Sequence, residues 1–252
     1  MFDIARQGYV SLLPAGVRGD NGDTAAMVQA RADFLAAGHY AGIVADLAHA
    51  AAEVAATRDA EGCVIDVGAG TGYYLAAVVD RLPDRVGLAL DVSKFALRRA
   101  ARAHERIGAV ACDVWRQLPV TDSAAVVVLN IFAPRNGAEL RRVLSSAGRL
   151  LVVTPSRGHL GELVQPLSLL TIDERKDERL AEKLTPYFTL VDRCEHRSTL
   201  RLSHRDVTAV VAMGPSAWHA DPTILADRIG HLPDPMPTTV AVTLSTFRPT
   251  GP

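Results

Sequence analysis

From residue 63 to residue 167 the chain alternates unbroken apolar runs with stretches of helical spacing. The runs are CVIDV, VGLALDV, GAVACDV, AAVVVLNIF and GRLLVVTP; YYLAAVVDRL, SKFALRRAARAHER, NGAELRRVLSS and HLGELVQPL lie between or after them. A strand that shows no polar alternation is buried on both faces, which happens when helices cover a parallel sheet above and below. The succession predicts an α/β protein with a doubly wound, Rossmann-like sheet. Two later stretches, FTLVDRCEHRSTLRL and TTVAVTLSTFRP, alternate and predict a pair of edge strands. The expectation is a mostly parallel seven-stranded sheet with an antiparallel edge strand.

Upstream, PAGVRGDNGDT (14–24) predicts a loop, and the alanine-rich stretch to Thr57 predicts two helices meeting near AAGHY. The organisation that follows is a helical N-terminal extension, 1–57, folded over the carboxyl ends of the strands, and a main α/β domain, 58–252. Asn136 with Glu139 and Ser203 with Asp206 have capping-box spacing, and Asp221 precedes Pro222 at a first helical position.

With 48% hydrophobic residues in 252, the chain can bury a large core. Its formal net charge of -1 gives no global attraction to nucleic acid, so any such contact needs a local basic patch. Cys63, Cys112 and Cys194 are odd in number and far apart, which fits neither a disulfide framework nor a CxxC zinc site. No basic-flanked apolar leader and no long apolar span is present, so the expected home is the cytoplasm, with no membrane contact.

After the first apolar run the chain reads DVGAGTG. Glycines tolerate positive φ and close approach, and amides at a helix start can meet an anion. A dinucleotide fingerprint would place its last glycine where Tyr73 stands, so a nicotinamide cofactor is a poor match. The pattern D-x-G-x-G-x-G, made by Asp66, Gly68, Gly70 and Gly72, resembles the first motif of S-adenosylmethionine-dependent methyltransferases. The competing reading is an ordinary strand-to-helix turn. Asp91, 19 residues after Gly72, ends the next strand, where an acid accepts from ribose hydroxyls or instead caps the following helix. Val92 follows it. Asp113 and Val114 stand at the third strand end, where a carboxylate and a neighbouring amide can read an adenine edge.

Longer strings carry a more specific likeness. FDIARQGYVSLLP, MVQARADFLAAGHY, LDVSKFALRRAA, NIFAPRN, VTPSRGHLGELV and MGPSAWH together resemble the RlmA family of 23S ribosomal RNA guanine-N1 methyltransferases, particularly its tylosin-resistance branch. The likeness spans essentially the whole chain. It implies a class I methyltransferase fold, S-adenosylmethionine as donor, and N1 of a guanine in a 23S rRNA hairpin loop as acceptor. It also implies a contribution to macrolide resistance; a homodimer is a candidate assembly that the sequence does not decide. Carried over by position, Tyr40, Gly70, Thr71 and His159 become cofactor contacts. Family members carry a zinc ribbon ahead of this region; the sequence starts after it and no cysteine here falls at a ribbon position, so no zinc site is carried over.

Methyl transfer to guanine N1 needs alignment and removal of the N1 proton. Asn130, in NIFAP, either orients the base edge or makes a strand-end turn. Asp23 and His39, in the extension, are candidate bases or ordinary caps. The absence of a cysteine in this loop argues against covalent C5 chemistry. Lys94, Arg98, Arg102 and Arg106 recur at helical spacing and Arg193, Arg197, Arg201 and Arg205 at strand spacing, either as phosphate contacts or as solvated faces. Trp218 is a candidate for stacking on a base or for core packing. Small-molecule methylation and a catalytically idle binding role are the alternatives to rRNA methylation.

Overall fold

In the computed structural model, which describes residues 4–13, 22–57, 61–169, 183–214 and 221–251, the apolar runs form the centre of one eight-stranded sheet. The strands are β1 (Tyr9–Ser11), β2 (Cys63–Val67), β3 (Gly87–Asp91), β4 (Ile107–Ala111), β5 (Ala125–Ile131), β6 (Leu144–Pro155), β7 (Phe188–Leu202) and β8 (Met236–Pro249). Their order is β1-β4-β3-β2-β5-β6-β8-β7. All pairs from β1 to β6 are parallel, whereas β8 runs antiparallel to both β6 and β7.

Two features go beyond the seven-stranded expectation. The N-terminal extension is not purely helical: β1 adds a short edge beside β4, with Tyr9 opposite Ala109. The two alternating stretches are indeed paired, but β8 inserts between β6 and β7, leaving β7 at the edge. Composition explains the order: β8 is buried at Val240, Ala241, Val242, Leu244 and Phe247, while β7 carries the charged residues Asp192, Arg193, Glu195, Arg197 and Arg201, which an edge leaves wet.

The helices are α1 (Ala25–Ala36), α2 (Ala41–Ala55), α3 (Tyr73–Arg81), α4 (Lys94–Ala100), α5 (Gly137–Val143), α6 (Gly161–Leu167), α7 (His204–Ala212) and α8 (Pro222–Gly230). Adjacent residues of the central strands point to opposite layers. Val64, Leu129, Leu151 and Val153 join Phe34, Leu47, Leu75 and Val211 on one side; Ile65, Val128 and Val152 join Leu140, Val143 and Phe247 on the other. Each such fully buried side chain contributes about 1.5–3 kcal/mol, and β5, buried along its whole length, is the axis of both layers.

Of the two capping-box spacings, only Ser203 with Asp206 closes reciprocally. Asn136 caps α5, but Glu139 turns to Arg142 and accepts from the Leu118 amide at 2.7 Å. Asp221 caps α8 through the amides of Thr223 and Ile224. The first basic stripe does not survive: α4 ends at Ala100, so Arg102 and Arg106 leave its spacing. Arg106 folds inward, donating to the carbonyls of Leu82 at 2.7 Å, Pro83 at 2.9 Å, Arg85 at 2.5 Å and Val79 at 2.6 Å. In the second set Arg193, Arg197 and Arg201 share an exposed strand, while Arg205 belongs to α7. The charged helix that DERKDERLAEKL predicts lies, over 173–182, outside the described residues, as do residues 14–21 of the expected loop and Trp218. Among the described residues, no helix is long and apolar enough to cross a membrane.

Candidate active site

The site lies beyond the carboxyl ends of β2, β3 and β5, where the strand order reverses. Between β2 and α3 the chain turns through Gly68, Gly70 and Gly72 at φ of 80°, 54° and 78°. Two of these glycines are backed by protein. A Cβ on Gly68 would sit 2.5 Å from the Ala133 Cβ, and one on Gly72 would sit 2.9 Å from the Ala100 Cα. Among the described residues Gly70 faces only the Arg31 side chain, with a guanidinium nitrogen 3.7 Å from where its Cβ would be. The middle of the turn therefore opens toward a cation rather than a wall.

Asp91 holds this turn in place. Its Oδ2 accepts from the Gly70 amide and its Oδ1 from the Ser93 amide, each at 2.8 Å. Ser93, not Asp91, caps α4, so the capping alternative for the acid falls to its neighbour. Burial raises the Asp91 pKa, and the two amides act against that rise. Asp66 is 1% exposed and its Oδ1 has no hydrogen-bond partner among the described residues; desolvation, followed by repulsion from Asp91, pushes it up to about 8. Asp113 stands two residues beyond β4, where its Oδ1 accepts from the Trp115 amide at 3.0 Å and its Oδ2 lies 3.5 Å from Arg116. Val92 is half-buried and Val114 buried beside these two acids.

The N-terminal extension covers the turn. Asp23 pairs with Arg31, which also donates to the Met213 carbonyl at 2.8 Å, and the Ser93 hydroxyl donates to the Asp23 carbonyl at 2.8 Å. Tyr40, at the start of α2, places its hydroxyl 3.3 Å from Nε2 of His159, in the loop after β6. Because Nδ1 of His159 accepts from the Ala241 amide at 3.2 Å, the proton of the neutral ring is on Nε2 and is donated to Tyr40. Burial drives the imidazole down to about 4 and the Tyr40 phenol upward, so both are neutral near pH 7.

Asn130 is fully buried and donates its amide hydrogens to the carbonyls of Val67 at 3.2 Å and Pro134 at 2.9 Å. It stitches the β5 turn to β2, and its Oδ1 has no partner among the described residues. His39 is turned toward α7, with Nε2 3.1 Å from Asp206 and its ring 4.7 Å from that of Phe34. The structure thus gathers Asp23, Gly68, Gly70, Thr71, Gly72 and Asp91 around the turn and pairs Tyr40 with His159, but leaves His39 at the α1–α7 contact. Two residues were not singled out from the sequence. Arg31 is a lone cation in an alanine-rich helix, and Phe132 is an aromatic residue immediately after a buried strand. Among the described residues there is no group of three or more His, Cys, Asp or Glu side chains that could hold a metal ion.

A methyltransferase domain family matches residues 64–153. A protein of Micromonospora griseorubida named as a 23S rRNA (guanine-N(1)-)-methyltransferase is 52% identical over 259 residues, spanning 98% of this chain and 88% of its own length. The 23S rRNA (guanine(748)-N(1))-methyltransferase of Streptomyces fradiae is 50% identical over 250 residues, with the same two coverages. A solved structure from Bacillus halodurans, named as a methyltransferase, superposes with a TM-score of 0.53 at 19% identity, covering 81% of this chain and 98% of that one, and shows the shared fold.

Proposed function

Because this chain belongs to the family of 23S rRNA (guanine-N1)-methyltransferases, we propose that it methylates N1 of a guanine in a 23S rRNA hairpin loop, with S-adenosylmethionine as donor. The observation that carries the reading is the glycine turn fastened to Asp91 with Arg31 facing its middle. That cradle fits a cofactor with a carboxylate at one end and a ribose diol in the middle.

Arg31 and the Thr71 amide hold the carboxylate end, beside Gly70, whose own amide is taken by Asp91. Asp91 keeps lone pairs free for the ribose hydroxyls after satisfying two amides. Val92 and Val114 flank the adenine, with Asp113 near its edge, and Tyr40 with His159 closes the methionine side. When bound, the cofactor supplies an electrophilic methyl group on a sulfonium sulfur. The chain's own work is to bind and orient. Neither ring nitrogen of His159 is open to take the guanine proton, since one accepts from Ala241 and the other donates to Tyr40. Asp23 is paired with Arg31. Methyl transfer also releases the N1 proton, and with both of these side chains engaged it leaves to solvent, so alignment of N1 with the methyl group is the main demand on the side chains.

Exposed Arg193, Arg197 and Arg201, with Lys94 and Arg98, supply phosphate contacts. The reading places the enzyme in the cytoplasm with its ribosomal substrate, with tylosin-type macrolide resistance as a consequence of methylation and a homodimer as its assembly. The test is incubation with labelled S-adenosylmethionine and 23S rRNA lacking the modification, followed by primer extension. A stop at one loop guanine, with label in N1-methylguanine, is expected. Label elsewhere or none overturns the reading.

A further inference from the structure

β5 ends at Ile131, and the next residue adopts a conformation that aromatic side chains seldom take. Phe132 has φ of 53°, in the left-handed region, and its side chain is 41% exposed. A bulky residue held there is strained, and such strain persists only where the surroundings fix it.

Here they do. Asn130 donates to Val67 on one side of the turn and Pro134 on the other, the Phe132 amide donates to the Val153 carbonyl at 3.1 Å, and Ala133 closes on Gly68. The scaffold of two strands and the glycine turn thus forces the backbone through a left-handed step, and the outcome is a ring left partly exposed at the carboxyl end of β5, beside the glycine turn. Two other rings lie beside it: His159, stacked at 6.0 Å and 29°, and Tyr40, tilted at 6.2 Å, and the remaining exposure is its outer face. A core phenylalanine needs no such strain, and an exposed one gains nothing from it. A flat apolar face fixed beside a cofactor turn suits a planar partner.

We propose that the outer face of Phe132 is the surface on which the target guanine stacks once it leaves the RNA loop, fixing the plane of the base so that its N1 edge meets the donor. Base–aromatic stacking is available to any base, so Phe132 positions the acceptor, and the choice of guanine falls to edge contacts. This assignment rests on the rRNA methylation reading. Asn130 acts on the base only through Phe132, as a positioning residue.

The test uses the full chain as wild type, Phe132→Ala, Phe132→Leu and Phe132→Trp. The RNA is the mapped hairpin, intact or with an abasic site at the target, and its affinity is measured with S-adenosylhomocysteine present. Alanine and leucine are expected to weaken binding of intact hairpin by roughly 5- to 150-fold and to lower kcat, with cofactor affinity by calorimetry unchanged; tryptophan restores both. On abasic hairpin all four proteins should bind alike. Leucine with wild-type affinity and rate, cofactor affinity lost in step with RNA affinity, or ring and base deletions that add independently each overturn the assignment. Thermal melting checks folding, and leucine and tryptophan carry the test if alanine fails to fold. A wild-type protein that does not methylate the rRNA guanine overturns the parent reading; one that does, with indifferent variants, overturns this inference alone.

Discussion

Asp91 serves two neighbours with one carboxylate, and this makes its removal doubly costly. Asp91→Ala takes away the acceptor for ribose hydroxyls and frees the Gly70 amide that shapes the turn. Hydrogen bonds to a charged group contribute roughly 1.5–3 kcal/mol, so cofactor affinity should fall about tenfold to more than a hundredfold in a folded variant. Calorimetry showing unchanged affinity would reject the assignment. Arg31 makes a parallel case from the opposite wall. Arg31→Ala removes the cation facing Gly70 and is expected to weaken cofactor binding by roughly the same factor, while Arg31→Lys recovers only part because a lysine cannot reproduce the planar fork. If alanine binds cofactor as well as wild type does, the carboxylate end lies elsewhere.

At the level of elements, α3 is closed by a side chain from outside it. The Arg106 guanidinium collects four carbonyls between Val79 and Arg85, where the helix has run out of its own donors. Arg106→Ala should destabilise the fold by about 2 kcal/mol in urea titration, with cofactor affinity intact. A variant as stable as wild type would make those contacts incidental. The same residue shows where sequence pattern stops being informative. Its spacing from Lys94 and Arg98 fits a helix face, but nothing in RRAARAHER marks a stop at Ala100, and only the strand beyond decides it. Strands β2 to β6 were legible because burial on both faces leaves an unbroken apolar run. β1 is three residues long, too short for a pattern to show; the inner position of β8 does leave a trace, in its apolar residues beside the charges of β7, but the alternation common to both strands masks it. The glycine turn and Asp91 were legible because their spacing is local. Arg31 meeting Gly70 and the left-handed step at Phe132 arise from parts of the chain brought together only by folding.

For the molecule as a whole, the buried Asp66 sets a pH dependence opposite to that of most carboxylates. Its folded pKa is raised from 3.8 to about 8, so between those values the folded state keeps a proton that the unfolded chain has lost. The stability tied to that proton is fully present below the unfolded value and drains away as pH rises toward 8. Cofactor-free protein should therefore unfold at lower urea at pH 8 than at pH 5, and Asp66→Asn should flatten the difference. Equal slopes for the two proteins would show that the acid is not desolvated as described. The position of β8 has another consequence, one of timing. Leu150 pairs with Phe247 and Val153 with Leu244, so β6 is made roughly a hundred residues before the strand that covers it. At ordinary synthesis speeds that is a wait on the order of ten seconds, during which an apolar edge stands open to wrong partners. Every newly made copy must cross that interval, so the cell's yield of active enzyme depends on what shields β6 while β8 is still being translated.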